Sequence, residues 1–143
     1  MSRTLALDVG DRRIGVAVSD ALGIIAQGLT TLHRTALKDD LVTLSALVAE
    51  HDIDRIVVGW PLGLDGRDTP QTRKVGRFVE ALERRLRLPV ERWDERMTTV
   101  IAERALIEGR VRRADRKQLV DKVAATLILQ SWLDARPPAR HAD

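Results

Sequence analysis

Short apolar runs separated by turn-forming residues fill the first quarter of the chain. Within each run apolar and polar residues tend to alternate, which is typical of half-buried strands joined by tight turns. Gly10 and the residues after it form the first turn, because glycine and aspartate accept tight-turn geometry. This pattern predicts an antiparallel meander of strands over residues 4–9, 14–19 and 26–32.

Beyond residue 36 the apolar residues recur every three or four positions, which is helical spacing. The predicted helices cover residues 36–50, 69–86, 98–108 and 119–133. Two more strands fall between them, over residues 54–60 and 89–93. The first contains the uninterrupted apolar run Ile56-Val57-Val58, which is typical of a buried central strand.

The element order is therefore βββαβαβαα, which predicts an α/β fold with a five-stranded mixed sheet flanked by helices. We expect one domain over residues 1–134, since 143 residues suit a single core. Residues 135–143 hold two prolines and are expected to form a flexible C-terminal tail.

Composition narrows the chemistry. The chain has no cysteine, which excludes disulfides, thiolate zinc sites and thiol catalysis. Its three histidines are scattered, so a bound metal would be a hard cation on oxygen ligands. The N-terminus lacks the layout of a signal peptide, and no apolar run is long enough to span a bilayer. We therefore expect a cytoplasmic protein that does not enter membranes.

Asp8 is a charged residue near the end of an apolar strand. Alternation places it on the same face as Thr4 and Ala6. A carboxylate there is costly unless it is paired or bound to a metal. The simpler interpretation, that Asp8 only shapes the turn at Gly10, has about equal weight.

Asp121 lies beside Ile128 within the apolar arc of the last predicted helix, which we assign to Val120, Val123, Ala124, Leu127, Ile128 and Ser131. An acid on a buried face needs a partner. The alternatives are a first-turn acid favoured by the helix dipole, or a salt bridge to Lys117 or Lys122.

Asp94 and Glu95 follow the fifth predicted strand, at the kind of junction where functional groups collect. Either could point inward, and both could be solvated. If one of them converged with Asp8 and Asp121, the carboxylates could hold two hard cations for phosphodiester hydrolysis.

Basic residues surround these acids. Residues 110–122 carry six positive and two negative side chains, next to Asp121. A phosphate backbone attracted there would lie near the acids, although a solvated loop is the plainer interpretation. The candidate nucleic-acid contacts are Arg12, Arg13, Arg67, Arg73, Lys74, Arg96, Arg110, Arg112, Arg113, Arg116, Lys117 and Lys122.

Four segments, taken in order, resemble the YqgF family, also called RuvX, of the ribonuclease H-like superfamily. The resemblance covers about residues 4–134. It rests on Leu5–Gly10 with Ile14–Ala17, on Ile56–Pro61 with Asp65–Gly66, on Asp94–Thr99, and on Val120–Ala125 with Ile128–Leu129. Trp60 and Lys122 depart from the residues usual in that family, which are a smaller aliphatic residue and serine.

The resemblance implies a ribonuclease H-like fold whose catalytic acids Asp8, Glu95 and Asp121 hold Mg²⁺ or Mn²⁺. It implies a nuclease that matures the 5′ end of pre-16S rRNA. The older family name implies cleavage of four-way DNA junctions instead, which would require a homodimer because both strands must be cut. A third hypothesis, from another class, is a module that binds RNA or the ribosome without cutting it.

Overall fold

The computed structural model describes residues 3–97, 106, 109–110 and 116–136, with the side chains of residues 116 and 117 excepted. Its strands are β1 (Arg3–Val9), β2 (Arg13–Ser19), β3 (Ala26–His33), β4 (Ile53–Trp60) and β5 (Val90–Asp94). Its helices are α1 (Leu37–Glu50), α2 (Pro70–Leu86) and α3 (Arg116–Ala135), with a short 3₁₀ helix over Glu95–Met97.

The strands form one five-stranded sheet in the order β3-β2-β1-β4-β5. β1, β2 and β3 pair antiparallel, as the meander predicts, and β4 and β5 join parallel to β1. The carboxyl ends of β1, β4 and β5 therefore meet at one edge of the sheet. Sites in open α/β sheets form outside such strand ends.

One face of the sheet packs against α1 and α2. It carries the large aliphatic side chains of the strands, including Leu5, Leu7, Ile14, Val16, Ile56 and Val58, all fully buried. The capping box between Thr69 and Thr72 fixes the start of α2 below this face, because each side chain accepts a backbone N–H of the other residue.

The opposite face packs against α3 and carries small residues. Ala6, Ala17 and Val57 lie against the buried stripe of α3, which consists of Val120, Ala124, Ala125, Ile128, Leu129 and Trp132. The stripe differs from the predicted arc, because Val123, Leu127 and Ser131 are only partly buried. A helix lying flat on a sheet buries pairs of adjacent residues, such as 124–125 and 128–129.

Two predicted features lie largely outside the described residues. These are the helix over residues 98–108, apart from residue 106, and the tail over residues 135–143, apart from residues 135 and 136. None of the helices in the described ranges combines the length and the apolar character needed to cross a membrane.

Candidate active site

Asp8 lies near the carboxyl end of β1, on the face that packs against α3. On one side it pairs directly with Gly15 of β2. On the other side, the position after the Leu7–Val58 pair belongs to Gly59 of β4. The half-buried carboxylate therefore lies between two strand positions without side chains, which leaves room for groups from other elements to approach.

Gly15 brings Asp121 to this position. A Cβ at Gly15 would collide with the backbone carbonyl of Asp121, so the first turns of α3 lie directly on β2. Close approach of two backbones is a use to which only glycine is suited. The Asp121 carboxylate accepts a hydrogen bond from Arg13 Nε at 3.0 Å. Arg13 of β2 is thus a partner of Asp121. The sequence suggests Lys117 or Lys122 instead, and the side chain of Lys117 lies outside the described residues.

Glu95 approaches Asp8 from the other side. It is the first residue of the 3₁₀ helix that follows β5. Its Oε1 atom lies 2.9 Å from the position that a Cβ at Gly59 would occupy. Glu95 thus uses the space left by Gly59, as Asp121 uses the space left by Gly15. The two strand neighbours of Asp8 are therefore covered by α3 at Asp121 on one side and by Glu95 on the other.

Asp94 is engaged elsewhere. Its carboxylate accepts hydrogen bonds from the Arg96 guanidinium, the shortest at 2.8 Å, and from the Arg96 backbone N–H. These hydrogen bonds, led by the one from the guanidinium, hold the pKa of Asp94 below its usual value. Of the two adjacent acids, Glu95 is therefore the one that lies beside Gly59, on the side of the sheet that carries Asp8.

The carboxylates suit a hard divalent cation in kind, since Mg²⁺ and Mn²⁺ prefer oxygen ligands. The two glycine positions on either side of Asp8 accommodate the Asp121 backbone and the Glu95 carboxylate. Among the residues that the structure describes, no group of three His, Cys, Asp or Glu side chains could hold a metal ion as arranged. Asp121 has the Arg13 guanidinium as its cation instead.

The remaining basic candidates are scattered around this site. The aliphatic part of the Lys122 side chain packs over Gly28 of β3. Lys74 contacts Asp11 at 3.5 Å and Arg67 contacts Asp65 at 3.8 Å, both at exposed positions. Arg12, Arg73 and Arg110 are exposed. Arg112 and Arg113, and the side chains of Arg116 and Lys117, lie outside the described residues.

Sequence reasoning misses the residues that hold the turn after Asp8. Arg34 Nη1 donates to the Gly10 carbonyl at 2.9 Å, and Arg34 Nε donates to Asp40 at 3.2 Å. Asp40 is only 6% exposed and opens α1, so this pair ties the turn to a helix on the other face. The available signal is an acid directly before the buried Leu41, on the apolar side of a predicted helix.

Comparison with known proteins identifies the family of this sequence. The family model described as "RuvX: Holliday junction resolvase" matches residues 2–135. A protein of Myxococcus xanthus named "Putative pre-16S rRNA nuclease" is 50% identical, over 95% of this chain and 91% of its own length. One of Clostridium novyi with the same name is also 50% identical, over 93% of this chain and 98% of its own length.

Solved structures agree on the fold. T. thermophilus RuvC in complex with a Holliday junction substrate superposes with a TM-score of 0.60 at 13% identity, covering 96% of this chain and 99% of its own. The fowlpox virus Holliday junction resolvase gives 0.54 at 12% identity, covering 94% and 99%. At such identities the likeness shows the fold alone, which is ribonuclease H-like. The family match over nearly the whole chain and the two relatives at 50% identity show that this chain belongs to the RuvX family.

Proposed function

We propose that this protein is a metal-dependent nuclease in which Asp8, Glu95 and Asp121 hold Mg²⁺ or Mn²⁺, within a single domain over residues 1–134. One observation supports this most strongly. Glycines on both sides of Asp8 admit Asp121 from α3 and Glu95 from the 3₁₀ helix, so three acidic residues distant in sequence come to one end of the sheet. Bound divalent cations supply charge stabilisation to an attacking water and to a leaving oxygen.

The side chains of the chain then have distinct tasks. Asp8 and Asp121 fix the position of the cations because their strand and helix are held by packing against each other. Glu95 completes the set and orients the attacking water. Exposed basic residues, including Arg12, Arg73 and Arg110, contact the phosphates, and the other basic candidates extend that surface. These contacts would hold a nucleic-acid backbone over the carboxyl end of β1.

Pre-16S rRNA is the substrate that we favour, because the relatives at 50% identity are named for it. This role places the protein in the cytoplasm, in ribosome maturation. The family description supports a second substrate, a four-way DNA junction. Symmetric cleavage of a junction needs two active sites and hence a homodimer.

A cleavage assay tests the proposal. The pure protein is incubated with Mn²⁺ and either a transcript spanning the 5′ leader of 16S rRNA or a four-way DNA junction, and Asp8→Asn is the matched variant. We expect wild type to cut the transcript and Asp8→Asn to be slower by about 1,000-fold or more, since metal catalysis supplies several kcal/mol.

The substrate that is cut decides between RNA maturation and junction resolution. Equal cutting by both proteins would show that the chemistry does not depend on Asp8. If the transcript is bound and neither substrate is cut, the protein is a binding module and the nuclease proposal is wrong.

A further inference from the structure

Arg13 is the first residue of β2, and alternation along the strand puts it on the same face as Gly15, towards α3. Its Nε atom lies 3.0 Å from Asp121 Oδ2. The two side chains are 22% and 24% exposed, so the pair is largely shielded from solvent. Gly15, which lies two residues further along this face, pairs with Asp8 across the strands.

Both partners start from fixed backbone positions. The Arg13 carbonyl accepts from the Gly10 N–H at 2.8 Å, and the next carbonyl back, that of Arg12, accepts from the Arg34 N–H. On the other side, the Asp121 backbone rests on Gly15. Because the fold already brings the two groups together, the ion pair costs little conformational entropy to form.

The electrostatics give this pair a role. Asp121 and Asp8 both lie at Gly15, the first through its backbone carbonyl and the second as the strand partner of that glycine. Two carboxylates that hold the same cation repel each other unless a positive charge neutralises them. Arg13 supplies a positive charge to Asp121. A divalent cation held by the same carboxylates would supply it instead, and Asp121 cannot serve both cations in the same geometry.

We propose that Arg13 is a built-in competitor of the catalytic cation: it holds Asp121 while no divalent cation is bound and leaves that carboxylate when the cation binds. This inference rests on the proposed metal site. Arg13 is thus a positioning residue that keeps the Asp121 carboxylate in place without a metal and weakens metal affinity in return.

Direct metal binding tests this inference without substrate. Binding of Mn²⁺ is followed by the loss of the electron paramagnetic resonance signal of the free ion. We expect Arg13→Gln to bind Mn²⁺ about fivefold more tightly than wild type, because a partly exposed ion pair contributes up to about that factor. Arg13→Lys, which keeps the charge, should fall between the two.

Thermal unfolding supplies a second readout of opposite sign. Without metal, Arg13→Gln should melt at a lower temperature than wild type, because Asp121 loses the cation that pairs with it. Added Mn²⁺ should then raise its melting temperature by more than it raises that of wild type, since tighter binding to the folded state stabilises it more. Arg12→Gln removes the same charge from the exposed neighbour, and we expect its Mn²⁺ affinity to change by less than about twofold.

Asp121→Asn separates this inference from the metal site itself. If Asp121→Asn loses Mn²⁺ binding while Arg13→Gln binds as wild type does or more weakly, the metal site stands and the competition is refuted. If Asp121→Asn binds Mn²⁺ as tightly as wild type, the cation is held elsewhere and both proposals fail.

Discussion

The face of the sheet that packs against α1 and α2 carries leucine, isoleucine and valine, whereas the face against α3 carries alanine, glycine and Asp8. Large side chains fill the first interface, and their burial stabilises the fold. Small residues at the second interface let α3 come close enough to bring Asp121 over β2. A difference in side-chain size thus separates a face for stability from a face that positions the acids.

The largest expected effect comes from changing a glycine on the α3 face. In Gly15→Ala the new methyl group collides with the backbone carbonyl of Asp121, which no side-chain rotation can relieve. We expect a loss of about 1–3 kcal/mol in stability and about 100-fold in Mn²⁺-dependent cleavage, because Asp121 is displaced. Denaturant unfolding and single-turnover cleavage measure the two.

Gly76→Ala is the matched control. Gly76 lies in α2, on the other side of the sheet, where a Cβ would meet only the Trp60 ring at 3.3 Å. Alanine is also the better helix former. We expect stability to stay level or rise slightly and cleavage to remain unchanged. A loss of cleavage as large as that in Gly15→Ala would contradict the division between the two faces.

A substitution on the α1/α2 face should show the opposite signature. Ile56 is fully buried in β4, and Ile56→Val removes one methyl group from the core. We expect a loss of about 1 kcal/mol in the free energy of unfolding. Cleavage per folded molecule should match wild type at a temperature where both are folded. A marked drop in cleavage would show that packing on this face also controls the site.

The smallest expected effect concerns Asp94, which lies beside the acids without joining them. Hydrogen bonds from Arg96 hold its pKa below the usual value in the folded state. A depressed folded-state pKa stabilises the fold at pH values above the unfolded-state pKa, and this stability is lost as pH falls through the folded-state value. Asp94→Asn should therefore be less stable than wild type at neutral pH, by less than Ile56→Val, and the difference should vanish in strong acid.

Unfolding curves of wild type and Asp94→Asn at several pH values measure this difference. We expect Asp94→Asn to retain most of the cleavage activity, because Glu95 is the acid beside Gly59. If Asp94→Asn abolished cleavage and Glu95→Gln did not, the assignment of the two adjacent acids would have to be exchanged.

The sequence predicts the five strands and the antiparallel pairing of the first three well, because burial leaves a periodic pattern of apolar residues. The run Ile56–Val58 marks a central strand, and the structure places β4 between β1 and β5. The choice between Asp94 and Glu95 is different, because neighbouring residues share the same pattern. It depends on the start of the 3₁₀ helix and on the bond from Arg96.

Contacts between distant residues leave still less trace in one sequence. Arg13 and Asp121 are 108 positions apart, and nothing in the sequence around either residue predicts their contact. Gly15 and Gly59 do give a sign in the sequence that another element packs closely against these strands. Each lies within an apolar strand, Gly15 on the same face as Ala17 and Gly59 on the same face as Val57, where a helix can approach closely.

Locating the bound divalent cation tests the proposed metal site most directly. Mg²⁺ is titrated into ¹⁵N-labelled protein and the backbone amide signals are followed by NMR, with Asp121→Asn as the control. We expect saturable shifts centred on Asp8, Gly15, Gly59 and Glu95 and on the first turns of α3, with α1 and α2 little affected. In Asp121→Asn we expect these shifts to be lost. Saturable shifts centred elsewhere, or shifts unchanged in Asp121→Asn, would contradict the proposed metal site.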